Sequence, residues 1–223
     1  MLISIADWKI VGFTLWTATI AVSCDLIPGI LLAWVLARKS WPGKTVVETI
    51  ASLPLVLPPV AVGLLLLELL GRRGLVGRWL HQWGIDVAFT WKAVVIAMAV
   101  MSFPFIVRSA RVAFDAVNPR LEHVASTLGA SPLRVAFTIT LPLAARGIMA
   151  GFIIAFTRSL GEFGATILVA GNIPGYTTTI STSIYNRIML GRDNEAIAMI
   201  LISILFAFSL NLAGEFLVRV RPS

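Results

Sequence analysis

Arg158 and Glu162 stand four residues apart in a run otherwise made of apolar and small residues. On a helix that spacing sets the guanidinium and the carboxylate side by side. Ionisable groups at membrane depth are costly, face protein or water, and are functional candidates by default. Three readings stand for this pair: mutual neutralisation that fixes helix packing, a cation that shapes the potential felt by an anion, or proton coupling, which nothing else in the sequence supports. The other chemistry-bearing residues are scattered. Asp25 interrupts a second apolar run beside the lone Cys24, and His81 and His123 are isolated. A single cysteine closes no intramolecular disulfide, and isolated histidines do not make a metal site. No Gly-x-x-x-x-Gly-Lys-Ser/Thr phosphate loop occurs, because Gly43-Lys44-Thr45 lacks the earlier glycine. No nucleophile is patterned with a base. The sequence therefore predicts no catalytic residue, no metal and no cofactor on this chain, and no ATP hydrolysis of its own.

The elements that must carry these groups are membrane helices. The chain has 223 residues, 58% hydrophobic and 13% charged, with a mean hydropathy of +0.91. Soluble domains are about half apolar and about a quarter charged, so lipid is the expected solvent. The net charge of +7 does not point to nucleic acid, since the cations lie between apolar runs. Spanning helices take about 20 mostly apolar residues. Five segments qualify or nearly so: 11–37, 46–70, 93–107, 148–170 and 196–218. The third is short, and Trp91-Lys92 extends it towards the interface. Such long, uniformly apolar runs suit helices rather than barrel strands. The expectation is one all-α transmembrane domain over 1–223, with a re-entrant or interfacial sixth element in 178–190. Asp7 precedes a first run too long for a signal peptide. Lys and Arg divide ten to seven between alternate loops, with Arg158 inside a span. The richer side is cytoplasmic, which places 108–146 and the C-terminus inside and the N-terminus outside.

The polar island 108–146 can be read residue by residue. Asn118-Pro119 is a turn that opens a helix, and Glu122 falls in its favourable first turn. Leu121, Val124, Ala125 and Leu128 form a short apolar stripe. Gly129 ends the helix as a C′ glycine. Ser131-Pro132 opens a second helix, which Leu141-Pro142 is expected to stop before the next span. This stretch resembles the EAA loop of permease subunits of bacterial ATP-binding cassette importers. The pattern is carried by Glu122, Ala125 and Gly129, followed by Ile139-x-Leu141-Pro142, with Val124 in place of a usual alanine. The resemblance covers nearly the whole chain and narrows to the oxyanion branch, above all the molybdate permeases. Leu53-Pro54-Leu55-Val56-Leu57-Pro58-Pro59-Val60, Ser102-Phe103-Pro104, Ser159-Leu160-Gly161-Glu162-Phe163-Gly164-Ala165-Thr166 and Gly171-Asn172-Ile173-Pro174-Gly175 carry that narrowing. Sulfate permeases share much of the Gly-Glu-Phe-Gly run, so tungstate and sulfate stay open.

The resemblance implies a type I importer permease fold in a bacterial inner membrane. It also implies a second copy of the chain, two ATPase subunits that hold ATP and magnesium, and an external oxyanion-binding protein. Glu122, Ala125, Gly129, Ala130, Ile139, Leu141 and Pro142 would couple to the ATPase. Pro54, Pro58, Pro59, Arg158, Ser159, Glu162, Thr166 and Asn172 would belong to the pathway or its gate. The prolines break a span, which is tolerated where backbone faces protein or water; a gate element and a packing kink are both open. Gly147, Gly151, Ala155 and Ser159 recur every fourth residue and predict close helix packing, against this chain or a second copy. Thr177, Thr178, Thr179, Ser181, Thr182 and Ser183 read either as a solvated loop or as uncharged donors for a passing anion.

Overall fold

The computed structural model describes residues 4–219, with side chains to 216. The first helix, α1 (Ile5–Arg38), opens with a capping box: the Ser4 hydroxyl accepts from the Asp7 amide and Asp7 accepts from the Ser4 amide. Its 34 residues run unbroken through Pro28. After a short loop come α2 (Lys44–Val56) and α3 (Pro59–Leu70), bent from one another by 112°. Pro58 and Pro59 lack amide donors, so the helical ladder cannot cross them, and Pro59 instead starts α3. A short outer helix, α4 (Leu75–Gln82), leads to α5 (Trp91–Asp115), which Thr90 caps through the Lys92 amide.

The chain then forms α6 (Pro119–Thr127), α7 (Pro132–Val135), a π turn (Ala136–Thr140) and α8 (Leu141–Leu160). Three helices follow: α9 (Gly164–Val169), α10 (Ile180–Met189) and α11 (Asp193–Arg219). Among the described residues four helical stretches are long and apolar enough to cross a membrane, and the bent α2–α3 pair makes a fifth if it is one span. The expected helix within 178–190 is α10, whose 10 residues are too few to cross a bilayer.

α1, α5 and α8 pack together as the centre of the bundle, with α11 beside α8, α10 against α11, and α3 against α9. Small side chains make this possible. Ala18, Ala21, Ala93, Val94, Ala97 and Met98 fill the middle of the bundle. Ala33, Leu36, Val107, Ala110, Phe114 and Ala144 tie the same three helices together near the island. The Gly147–Gly151–Ala155 stripe lies on α5 in this chain, since a Cβ on Gly151 would fall 2.6 Å from Cβ of Ser109. The outer faces of α11 expose Leu201, Ile204, Leu205 and Phe208, as lipid-facing helices do.

Three expectations are corrected. The third span is longer than 93–107: α5 continues eight residues past Val107 to Asp115, so the island proper starts near 116. Arg108 and Arg111 mark where apolar sequence ends, not where the helix ends; Arg111 pairs with Glu48 of α2 and with Asp115 one turn on. Second, Leu141-Pro142 stops nothing, because residues 132–160 form one continuous helical stretch. The π turn absorbs the proline: Leu141 bonds back five residues to Ala136, and the widened turn makes room for a ring that cannot donate to the Thr138 carbonyl. Third, the fourth span is not a single helix over 148–170. It unwinds at Gly161–Phe163 between α8 and α9.

Candidate functional site

Two groups of sequence-marked residues are each drawn together. The first is at the island. Asn118 accepts from the Arg120 amide and caps α6, with Pro119 at its first position. The helix ends in a Schellman motif: Gly129 N–H bonds to Ser126 O and Ala130 N–H to Ala125 O. Gly129 has φ +87°, the left-handed conformation expected of it, and no atom lies within 4 Å of where a Cβ would be. Its role is conformational freedom alone. The hydroxyl of Ser131 caps α7 through the Arg134 amide.

Two faces of α6 differ. Leu121, Val124 and Leu128 point away from the protein, and Leu128 is 83% exposed; Leu133 and Phe137 extend this apolar surface beyond the glycine bend. Glu122 points the other way. Its Oε1 accepts from Arg38 Nη2 at 2.9 Å and from Thr140 Oγ1 at 2.7 Å. Sequence reasoning placed Glu122 in the coupling set but missed Arg38 and Thr140. Arg38 is 84 residues away, and no local spacing rule connects the two. A cleft of about 280 Å³ beside them is lined by Trp34, Arg38, Glu122, His123 and Thr140. Ile139 and Leu141 are partly buried and Pro142 is exposed in the helix that leaves the π turn.

The second group lies at the α3–α9 contact. The Pro-Pro break and the Gly-Glu-Phe-Gly run, about a hundred residues apart, touch directly. A Cβ on Gly164 would sit 2.8 Å from Pro59 Cβ, and one on Gly63 would sit 2.7 Å from the Ala165 carbonyl oxygen. Glu162 is 1% exposed. One carboxylate oxygen accepts from the Ala165 amide at 2.9 Å, capping the start of α9, and the other pairs with Arg158 Nη1 at 2.8 Å. The i,i+4 pair thus forms, and it holds the unwound turn as well. Ser159 is buried and bonds to the Ala155 carbonyl, and Thr166 is buried with no partner for its hydroxyl. Pro54 lies inside α2, on the other side of the bend from Pro59.

Ser102, from the short Ser-Phe-Pro run, donates to buried Asp25 at 3.0 Å, which explains a carboxylate in the middle of α1.

The threonine-rich segment is not a solvated loop. Thr177, Thr179 and Thr182 are fully buried. Thr177 accepts from the Ile173 amide and Thr179 and Thr182 form a capping box for α10. The Thr178 hydroxyl donates to the Asn172 side-chain Oδ1 at 2.7 Å. These hydroxyls serve the local fold. Asn172 also lines a cavity of about 330 Å³ with Lys9, Ser183, Asn186 and Arg192. Nearby, Asp7 at the start of α1 pairs with Arg187 of α10.

An all-helical bundle with several bilayer-length helices and a broken span makes this an integral, multi-pass membrane protein. The chain belongs to the family of binding-protein-dependent transport system inner membrane components, whose model matches residues 29–220. It is 47% identical over 222 residues to the molybdenum transport system permease protein ModB of Escherichia coli K12, covering 99% of this chain and 97% of that one. The sulfate transport system permease protein CysT of the same organism is 36% identical, covering 93% and 75%.

Among solved structures, a bacterial alginate ABC transporter in complex with an alginate pentasaccharide-bound periplasmic protein aligns with a TM-score of 0.76. That alignment has 23% identity and covers 97% of this chain and 79% of that one. The MetNI methionine ABC transporter in an inward-facing conformation aligns with a TM-score of 0.71 at 16% identity, covering 96% and 93%. The fold is that of type I ABC importer permeases.

Proposed function

We propose that this chain is the membrane-spanning subunit of an ATP-driven oxyanion importer whose cargo is molybdate. The observation that carries the reading is near-full-length identity of 47% to a molybdenum permease, joined to a capped cytoplasmic helix that presents an apolar face. Two copies form one pathway. Leu121, Val124 and Leu128 of each copy dock in a cleft of an ATPase subunit, which holds ATP and magnesium; this chain binds neither and catalyses nothing. An external binding protein delivers the anion. Closure of the ATPase pair draws the two α6 helices together, and the bundle opens outward. The break at Pro58-Pro59, locked on α9 at Gly164, is the gate element. Arg158 lends positive potential beside it, while Glu162 keeps that charge from standing unpaired. The N-terminus is external and α6 cytoplasmic.

The test is uptake of labelled molybdate into proteoliposomes holding the chain, its ATPase and its binding protein. Uptake should need ATP and survive excess sulfate. Leu128→Glu should release the ATPase and abolish uptake, with the spans still inserted. Outside-only labelling should modify Gly74→Cys and spare Ser131→Cys in a Cys24→Ala background. ATP-independent uptake, or the reverse labelling pattern, would overturn the proposal. Sulfate uptake in place of molybdate would move the cargo to that of the CysT relative.

A further inference from the structure

We propose that Arg38 and Thr140 are positioning residues for the coupling helix, and that Glu122 acts by being held between them. The inference rests on the coupling role given to α6 above. α6 is joined to its neighbours by short links: a turn at 116–118 before it and a glycine at φ +87° after it. The caps at these links are local and do not tie the helix to the bundle. Glu122 does, because its Oε1 receives Arg38 from the end of α1 and Thr140 from the π turn that leads into α8. The same Arg38 nitrogen donates to the Val117 carbonyl at 3.2 Å, so one guanidinium grips both the hinge and the first turn of α6. The Arg38 and Glu122 side chains are only 17% and 22% exposed, which limits solvent screening of the pair.

The π turn belongs to the same device. Adding a residue to a helical turn re-aims the side chains around it, and such turns recur at functional sites. Here Thr140, the last residue of the turn, is buried with its hydroxyl on Glu122. A push on α6 is thus passed to α1 and α8 through a shared carboxylate oxygen. The surface left for a partner includes the apolar one of Leu121, Val124 and Leu128.

The experiment uses the whole complex with its ATPase and binding protein in proteoliposomes, reading ATP turnover, anion uptake and ATPase retention separately. Arg38→Ala should retain the ATPase but lower anion moved per ATP about fivefold or more, within the range of coupling between contacting groups. Thr140→Val should act in the same direction, about twofold. Arg38→Lys should keep about half of the coupling, since the charge stays but the forked geometry is lost. Glu122→Arg should uncouple strongly, and adding Arg38→Glu should restore much of the loss. Wild-type stoichiometry in Arg38→Ala would overturn the proposal. So would relief of Glu122→Arg by reversing a cation on the ATPase but not by Arg38→Glu. Leu128→Glu separates the two levels. If it releases the ATPase while Arg38→Ala is silent, only the positioning role falls. If it leaves the ATPase bound, the docking reading falls and the positioning role with it.

Discussion

The island around α6 and the α3–α9 contact each hold a glutamate against an arginine and each contain glycines, yet they are built in opposite ways. At the island, Glu122 reaches a cation from a distant segment, and Gly129 stands in open space with positive φ. At the contact, Glu162 in the unwound turn pairs with a cation four residues back at the end of α8, and Gly63 and Gly164 lie against backbone and a proline ring. One site uses glycine for freedom and an ion pair to join segments distant in sequence. The other uses glycine for closeness and an ion pair to stiffen a break. A short helix capped outside the bundle suits the first; a bend packed inside it suits the second.

The largest effect should come from filling the close contact. Gly63→Leu puts side-chain atoms where the Ala165 backbone already stands, and backbone there cannot yield. Overpacking of this kind costs about 3 kcal/mol, so the yield of folded, detergent-stable protein should fall sharply. By contrast, Gly129→Val meets no atom and carries only the left-handed backbone cost of about 1–2 kcal/mol. It should express normally yet lose coupling between ATP turnover and uptake. Equal yields of the two variants would break the contrast.

A smaller effect is expected at the intramembrane pair. Glu162→Ala removes the cap on α9 and leaves Arg158 uncompensated; because the Arg158 side chain is 30% exposed, the cost stays below the ~3 kcal/mol of a charge at membrane depth. Adding Arg158→Ala should recover part of the lost thermal stability but not all, because the Ala165 amide stays uncapped. Full recovery would show that the cap contributes nothing; no recovery would show that the pair does not.

The smallest effect should come from the exposed loop between α3 and α5. Asp86 accepts from Arg72 in two hydrogen bonds and contacts His81. The Arg72 hydrogen bonds hold its carboxyl below the ordinary value of 3.8. A depressed carboxyl contributes stability above its unfolded pKa and loses it as pH falls through the lower, folded one. Lowering the pH from 7 to 5 should therefore leave this contact intact, and Asp86→Asn should barely shift the melting temperature over that window. A marked loss in the variant at pH 7 would mean that the loop carries more of the fold than its exposure suggests.

Much of this architecture was legible in the residues. Apolar length located the spans, and Asn118-Pro119 and Gly129 marked both ends of α6, because caps are local chemistry. The i,i+4 spacing marked the Arg158–Glu162 pair for the same reason. What escaped the sequence was tertiary. Helix ends cannot be read from where apolar residues stop, since a helix such as α5 runs on into water when Arg111 finds Glu48. Pro142 looked like a terminator because a π turn has no sequence signature. The threonines of 177–183 looked solvated because hydroxyl-rich composition is the same in a loop and in a buried cap network. Neither Arg38 nor the Gly63–Ala165 contact has a spacing rule.

The length of α1 has a mechanical consequence. Thirty-four residues span about 51 Å as a helix, against about 30 Å of hydrocarbon. The helix must lean or project, and its two ends are tied, through Asp7 to Arg187 of α10 and through Arg38 to Glu122 of α6. Its tilt is therefore set by its packing on α5 and α8 and by two ionic tethers, and not by lipid alone. A thinner or thicker bilayer loads those tethers, so membrane thickness becomes an input to the angle of α6.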